Sequence, residues 1–339
     1  MTLRHRIRSG FLGLLVLAVG LSACSKPLGS ESAPATGAAA VSKLTVAYSE
    51  IIFTNLVLWV AKEAGIFEKN RIDAELTQIS SSNAIAALLA GQVQVAHAGG
   101  SEAISANVAG ADLVTVAVTG PVYPYYLMAQ STISSPEDLR GKKIGISQPG
   151  SSSDIATRVV LRRFGLDPDT DVTLVPVGSL ANRTAALLSG AIDAGLDNPP
   201  GSLAQEAQGL RPLIDLASLQ IPAANNAVTM QRSYLDGNKD LVQRYVDSLV
   251  EALAKVRKDR AYSIQVLKQY YKSEDDEAMK ATYDFLLHGM VDTIAAKPDQ
   301  FSDSIDQLSA KNPAVRSYDF TKMLNNTFVQ DAINRKVGA

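Results

Sequence analysis

The 339-residue sequence predicts an α/β protein made of two similar lobes joined by a two-strand hinge, with a helical C-terminal extension. Three observations carry this prediction. Short β-type apolar runs alternate with helical stretches, a pattern that pairs strands in parallel through crossover helices. The series then occurs a second time. Asn83 followed by Ala86-Ala87-Leu88-Leu89-Ala90-Gly91 matches Asn182 followed by Ala185-Ala186-Leu187-Leu188-Ser189-Gly190, 99 residues later. Third, Gly65-Ile66 and Gly165-Leu166 each end a helical stretch, 100 residues apart. A period this long excludes a solenoid or propeller and fits a duplicated Rossmann-like lobe.

In the first lobe, strands are expected at 44–48, 74–79, 93–98 and 113–118, with helices at 55–64, 83–89 and 102–109. The second set of strands falls at 143–147, 172–177, 191–196 and 213–216. Between the lobes, 119–124 is broken by Gly120, Pro121 and Pro124 before a strand resumes at 125–130, and a return strand follows Pro222 at 223–230. These two crossings make the hinge. Lobe 1 is therefore expected at 43–120 together with 223–339, and lobe 2 at 125–217. In the tail, Val242, Val246, Leu249, Leu253 and Val256 recur at helical spacing and give one apolar stripe. Further helices are expected at 275–287 and 319–335, with the extension packed on lobe 1.

The first 23 residues read as an address. Arg4, Arg6 and Arg8 precede eleven apolar or glycine residues, 11–21, too few to span a bilayer core. Leu21-Ser22-Ala23-Cys24 has the form of a lipobox, so Cys24 is expected to carry a lipid and anchor the chain at the periplasmic side of a membrane. Ser25 after the cysteine points to the outer membrane. Residues 24–42, rich in Ser, Ala, Gly and Pro, are expected to form a flexible tether.

Composition narrows the function. Losing the three signal arginines leaves 29 basic against 34 acidic residues, with no basic field for nucleic acid. Cys24 is the only cysteine, so disulfides and cysteinyl metal sites are excluded from the folded part. Of three histidines, His5 lies in the signal, leaving His97 and His288. HExxH, Walker and GxSxG patterns are missing, and Gly150-Ser151-Ser152-Ser153 lacks the lysine of a nucleotide loop. Neither catalysis nor a cofactor or metal is expected.

Polar residues gather instead at strand-to-helix turns, where open α/β sheets hold ligands against helix N-termini. In lobe 1 these are Ser49, Glu50, Ser81, Ser82, Asn83, Gly100 and Ser101; in lobe 2 they are Ser151, Ser152, Ser153, Asn182, Asp197 and Asn198. Each one alone could be a helix cap worth ~1 kcal/mol. Facing one cleft from two lobes, the set reads better as a binding site. Tyr125, between Tyr123 and Tyr126 at the first hinge, is positioned to cover a solute. His97, inside the apolar run VQVAHAGG, reads as a core histidine.

The segment Ile133-Ser134-Ser135-Pro136-Glu137-Asp138-Leu139-Arg140-Gly141-Lys142-Lys143-Ile144-Gly145-Ile146 resembles the linker and strand that open the second lobe of type II periplasmic binding proteins. Within that group, Ala186-Leu187-Leu188-Ser189-Gly190-Ala191-Ile192-Asp193-Ala194 looks like the branch that binds nitrate, taurine, alkanesulfonates and thiamine precursors. The resemblance covers about 43–230. It implies a monomeric receptor that closes on a small solute and delivers it to an ABC permease driven by a cytoplasmic ATPase. It also implies solute contacts at Ser49, Glu50, Ser81, Ser82, Gly100, Ser101, Ser151, Ser152, Asn182 and Asp197. Pyrimidine synthases of related fold need a cysteine-rich motif that this chain lacks. The competing reading is a lipoprotein sensor or scaffold that uses the same fold to bind a partner protein. Glu50 and Asp197 disfavour nitrate and favour an amine-bearing sulfonate or a pyrimidine-like solute.

Overall fold

A computed structural model describes residues 40–290 and 292–339. The expected signal segment, Cys24 and the expected tether up to residue 39 lie outside the described residues. Among those described, no helix is long and apolar enough to cross a membrane.

The first half runs Ser42–Tyr48 (β1), Leu56–Glu63 (α1), Ile66–Lys69 (α2), Ile72–Gln78 (β2), Ser81–Leu89 (α3), Val95–Ala98 (β3), Gly100–Val108 (α4) and Leu113–Val122 (β4). The second half runs Tyr126–Ala129 (β5), Lys143–Ile146 (β6), Ser152–Arg163 (α5), Thr173–Pro176 (β7), Leu180–Leu188 (α6), Ala194–Asp197 (β8), Gly201–Glu206 (α7) and Arg211–Asp215 (β9). Pro222–Gln231 (β10) leads into Arg232–Gly237 (α8), Lys239–Lys258 (α9), Arg260–Tyr271 (α10) and Asp276–His288 (α11). Ser302–Lys311 (α12), Ala314–Ser317 (α13) and Thr327–Asn334 (α14) complete the chain.

The strands form two five-stranded sheets, ordered β2-β1-β3-β10-β4 and β7-β6-β8-β5-β9. In each, three strands pair in parallel, as βαβ alternation requires. The strand that enters across the hinge, β10 or β5, pairs antiparallel with both neighbours. The expectation of parallel pairing therefore holds for the βαβ units and not for the two crossing strands.

Helix ends follow the sequence signals. Gly65 and Gly165 sit at φ 67° and 75°, just past α1 and α5, in the left-handed conformation that closes a helix and that glycine adopts without a Cβ penalty. The stripe Val242, Val246, Leu249, Leu253 and Val256 of α9 is buried. It packs α9 on α1 and beneath α14. Trp59 of α1 is fully buried, stacked on Tyr270 of α10 at 4.4 Å and edge-on to Tyr48 at 6.0 Å.

Two expectations are corrected. β4 continues through Gly120 and Pro121 to Val122, because it is the outer strand of its sheet and a missing N–H costs little there. The single helix expected at 319–335 is broken. A 3-10 turn at Phe320–Met323 ends where Leu324 bridges Thr115, and α14 begins only after Asn325 and Asn326. Those two side chains bond backbone amides outside the helix ladder, Asn325 to Thr327 and Asn326 to Ala296. The extension also does more than cover the first sheet, since α12 packs against both α4 and α5.

Candidate functional site

The turns at the carboxyl ends of β1, β2, β3, β6, β7 and β8 converge on a cavity of about 820 Å³ between the two sheets. Ser49, Glu50, Ser81, Ser82, Asn83, Tyr125, Ser151, Ser152, Ser153, Asp197 and Asn198 all line it. Three expected residues stand off the wall. Gly100 faces packing instead: a Cβ there would meet the Ala224 Cβ at 2.7 Å and the Phe301 ring at 2.8 Å. Ser101 is buried behind the wall, donating to Glu102 Oε2 at 2.7 Å. Asn182 is exposed, and its backbone N–H is taken by the Ser179 hydroxyl.

The residues that do line the cavity divide into two kinds. Some complete the fold. Ser151 and Ser179 cap α5 and α6, and Ser153 Oγ accepts from the Ser147 amide at 2.8 Å. Asp197 accepts from the Asn198 amide at 2.7 Å, from Gln205 Nε2 at 2.6 Å and from the Thr184 hydroxyl. Burial raises its pKa, and these donors pull it back down. Its oxygens are thus engaged within their own lobe.

Others are unsatisfied. Thr54 Oγ1, Glu102 Oε1, both amide atoms of Asn198, Asn226 Oδ1 and the Tyr271 hydroxyl are buried without a partner among the described residues. Their residues all border this one cavity. A buried polar atom left unpaired costs ~1–3 kcal/mol, and five side chains that carry such atoms lie around this one space. The expected set omitted Thr54, Glu102, Asn226 and Tyr271.

Hydrogen bonds cross the cleft at three places: Ser152 Oγ donates to Glu102 Oε2 at 3.3 Å, the Ser101 and Ser152 hydroxyls lie 3.5 Å apart, and Gln148 Nε2 donates to Ser82 Oγ. The backbones come so close here that a Cβ on Gly99 would overlap Ser152 Oγ. Glu50 also reaches across. Burial raises its pKa most, while Arg183 and the Leu180 backbone N–H at the start of α6 lower it.

Arg183 itself is buried under the second lobe, lying over Gly145 and Gly195, with Nε bonded to Leu196 O at 2.5 Å and Nη1 to Ser147 Oγ at 3.1 Å. It has no ion pair among the described residues. The two strand glycines that make its bed were the signal for it. Tyr125 bonds Asn225 Oδ1 at 3.2 Å on the cavity wall. Tyr126 packs on Phe285 instead, at 4.7 Å. His97 is wholly buried away from the cavity, 2.8 Å from the Tyr245 hydroxyl, and burial lowers its pKa to about 3. No group of His, Cys, Asp and Glu among the described residues could hold a metal ion.

Two α/β sheets exchanging strands across a double hinge, with polar turns lining the cleft between them, define a periplasmic binding protein fold of type II. The NMT1/THI5-like family model matches residues 53–260, and the chain belongs to that family. It is 28% identical to an aliphatic sulfonates-binding protein of Escherichia coli K12 over 263 residues, 75% of this chain and 77% of the relative. It is 29% identical to an ABC transporter periplasmic binding protein of Brachyspira hyodysenteriae over 133 residues, 39% of this chain and only 37% of that relative. Among solved structures, the alkanesulfonate-binding protein from Xanthomonas axonopodis, bound to MOPS, superposes with a TM-score of 0.67 at 23% identity, over 87% of this chain and 99% of that one.

Proposed function

We propose that the protein is the extracytoplasmic solute receptor of an ABC importer and that its solute is a small organic sulfonate. The observation that carries this is the ring of unpartnered polar side chains around an interlobe cavity of about 820 Å³, contributed from both sheets and the hinge. The names of its relatives support the same class of solute. Solute bridging the cleft favours the closed arrangement by its differential affinity, and closure is what a permease can recognise. The turn residues Ser49, Ser81, Ser82, Asn83, Ser152 and Asn198 supply hydroxyl, amide and helix-start contacts. Lipidation at Cys24, part of the same proposal, tethers the receptor to a membrane on its extracytoplasmic side.

A thermal-shift screen of the purified protein against alkanesulfonates, nitrate, pyrimidines and aromatic acids tests this. A solute at one hundred times its Kd stabilises the fold by about 2.7 kcal/mol. The expected result is a raised melting temperature with sulfonates alone. A shift only with pyrimidines would replace the solute, and no shift with any small molecule would favour a partner-binding scaffold.

A further inference from the structure

We infer that α12 is a clasp: it rides on the first lobe and grips α5 of the second, so that it adds to solute affinity from outside the cavity; this rests on the closing-receptor reading proposed above.

The two sides of α12 differ in kind. Towards the first lobe it is apolar. Ile305 and Leu308 pack with Phe301 into a cluster that includes Ala103 and Ile104 of α4. Phe301, just before α12, is 2% exposed and is seated over Gly100 and Ala224. Pulling this side away would open buried apolar surface to water, so α12 stays with the first lobe.

Towards the second lobe it is polar. Asp303, Gln307 and Lys311 recur every fourth residue and so form one stripe of the helix. Each meets a complementary group on α5 or just after it. Arg162 Nη1 donates to Gln307 Oε1. Burial raises the Asp303 pKa most, while the Tyr123 hydroxyl of the hinge and the Arg163 cation lower it. The hydrogen bond from Arg158 lowers the Asp169 pKa most, and Arg162 and Lys311 add to that fall. Leu308 adds a light apolar contact, since a Cβ on Gly150 would stand 3.9 Å from its Cδ2.

Exposed polar pairs part into water at little cost, whereas buried apolar faces do not. A helix with one face of each kind can let go of α5 and take it again as the lobes move. Arg162, Arg163, Asp303, Gln307 and Lys311 all lie outside the set of residues that border the cavity. Whatever their contacts add to the closed arrangement is added to the apparent affinity of a solute that selects it.

Opposite charges at one partly exposed position test the clasp. Gln307→Glu offers Arg162 a carboxylate, and Gln307→Lys offers it a like charge. The probe is 2-aminoethanesulfonate, a small organic sulfonate, titrated into the purified protein by calorimetry. Gln307→Lys is expected to bind it about fivefold more weakly than Gln307→Glu, with the parent protein between them. Small-angle scattering of the solute-free variants should give the larger radius of gyration for Gln307→Lys. Arg162→Ala removes the same contact from the α5 side and should behave as Gln307→Lys does, which covers the case in which one variant fails to fold. Equal affinities, or the reverse order, would overturn the clasp and leave the receptor reading standing. If the parent protein binds no sulfonate, the proposed solute falls and the radii decide: equal radii would overturn the clasp as well.

Discussion

At matched positions of the repeat, the first lobe buries Ala84 and His97 where the second buries Arg183 and Leu196. The backbone signals agree across the two halves, down to the left-handed glycines that end their helices. The chemistry beneath the cleft does not. The first lobe hides a neutral imidazole against Tyr245, and its helices α3 and α4 start without a cap from their N-cap residues. The second hides a cation, and its α5 and α6 are capped by Ser151 and Ser179. A duplicated frame thus holds its geometry in a few turn residues and glycines, and is free to vary the groups that face a solute. In this chain the first lobe leaves the starts of α3 and α4 without a side-chain cap, while the second caps α5 and α6 and leaves both amide atoms of Asn198 unpaired.

The largest break in that comparison is expected at Arg183. Arg183→Met removes the donors to Leu196 O and Ser147 Oγ and the charge that partly offsets Glu50 and Asp197. Chemical denaturation should show a loss of about 3 kcal/mol. A loss below about 1 kcal/mol would mean the guanidinium is not what organises the second lobe.

The first lobe's buried base should show in acid. The unfolded chain takes up a proton at His97 as pH falls through 6.5, whereas the folded protein resists until about 3. Stability from this residue is therefore full above pH 6.5 and is lost progressively on the way down to 3. By pH 5 the loss is about 2 kcal/mol. His97→Gln should flatten that limb of the stability profile, and an unchanged slope would assign it to other groups.

The caps give the smallest and sharpest contrast. Ser179→Ala should cost about 1 kcal/mol, because Ser179 accepts from the Asn182 amide. Ser80→Ala, at the matched position of the first lobe, should cost almost nothing, because Ser80 makes no cap bond. Equal costs measured by thermal melts would remove the asymmetry.

Much of this was legible in the sequence, because repeat, turn chemistry and helical periodicity are local signals. The strand through Pro121 was not, since its tolerance depends on lying at a sheet edge. Nor was the break at Leu324, which comes from a bridge to Thr115, far away in the chain. Ser82 and Ser152, expected from the turns alone, do border the cavity. Gly100 and Asn182 were misplaced because a glycine at a turn can serve packing and an asparagine there can face solvent. Glu102, Asn226 and Tyr271 were missed because they reach the cavity from inside a helix, from the return strand and from the distant end of α10.

The central claim is that the cleft's unpaired polar atoms are held for a solute. A paired melt of the parent protein and Asn198→Leu, with and without saturating 2-aminoethanesulfonate, tests it most directly. Both amide atoms of Asn198 are buried without partners, so a leucine of similar volume removes an uncompensated desolvation cost. The account predicts that Asn198→Leu melts no lower than the parent protein when free, yet loses most of the stabilisation that the sulfonate gives the parent. A variant that melts several degrees lower when free and keeps the full shift on adding sulfonate would contradict it.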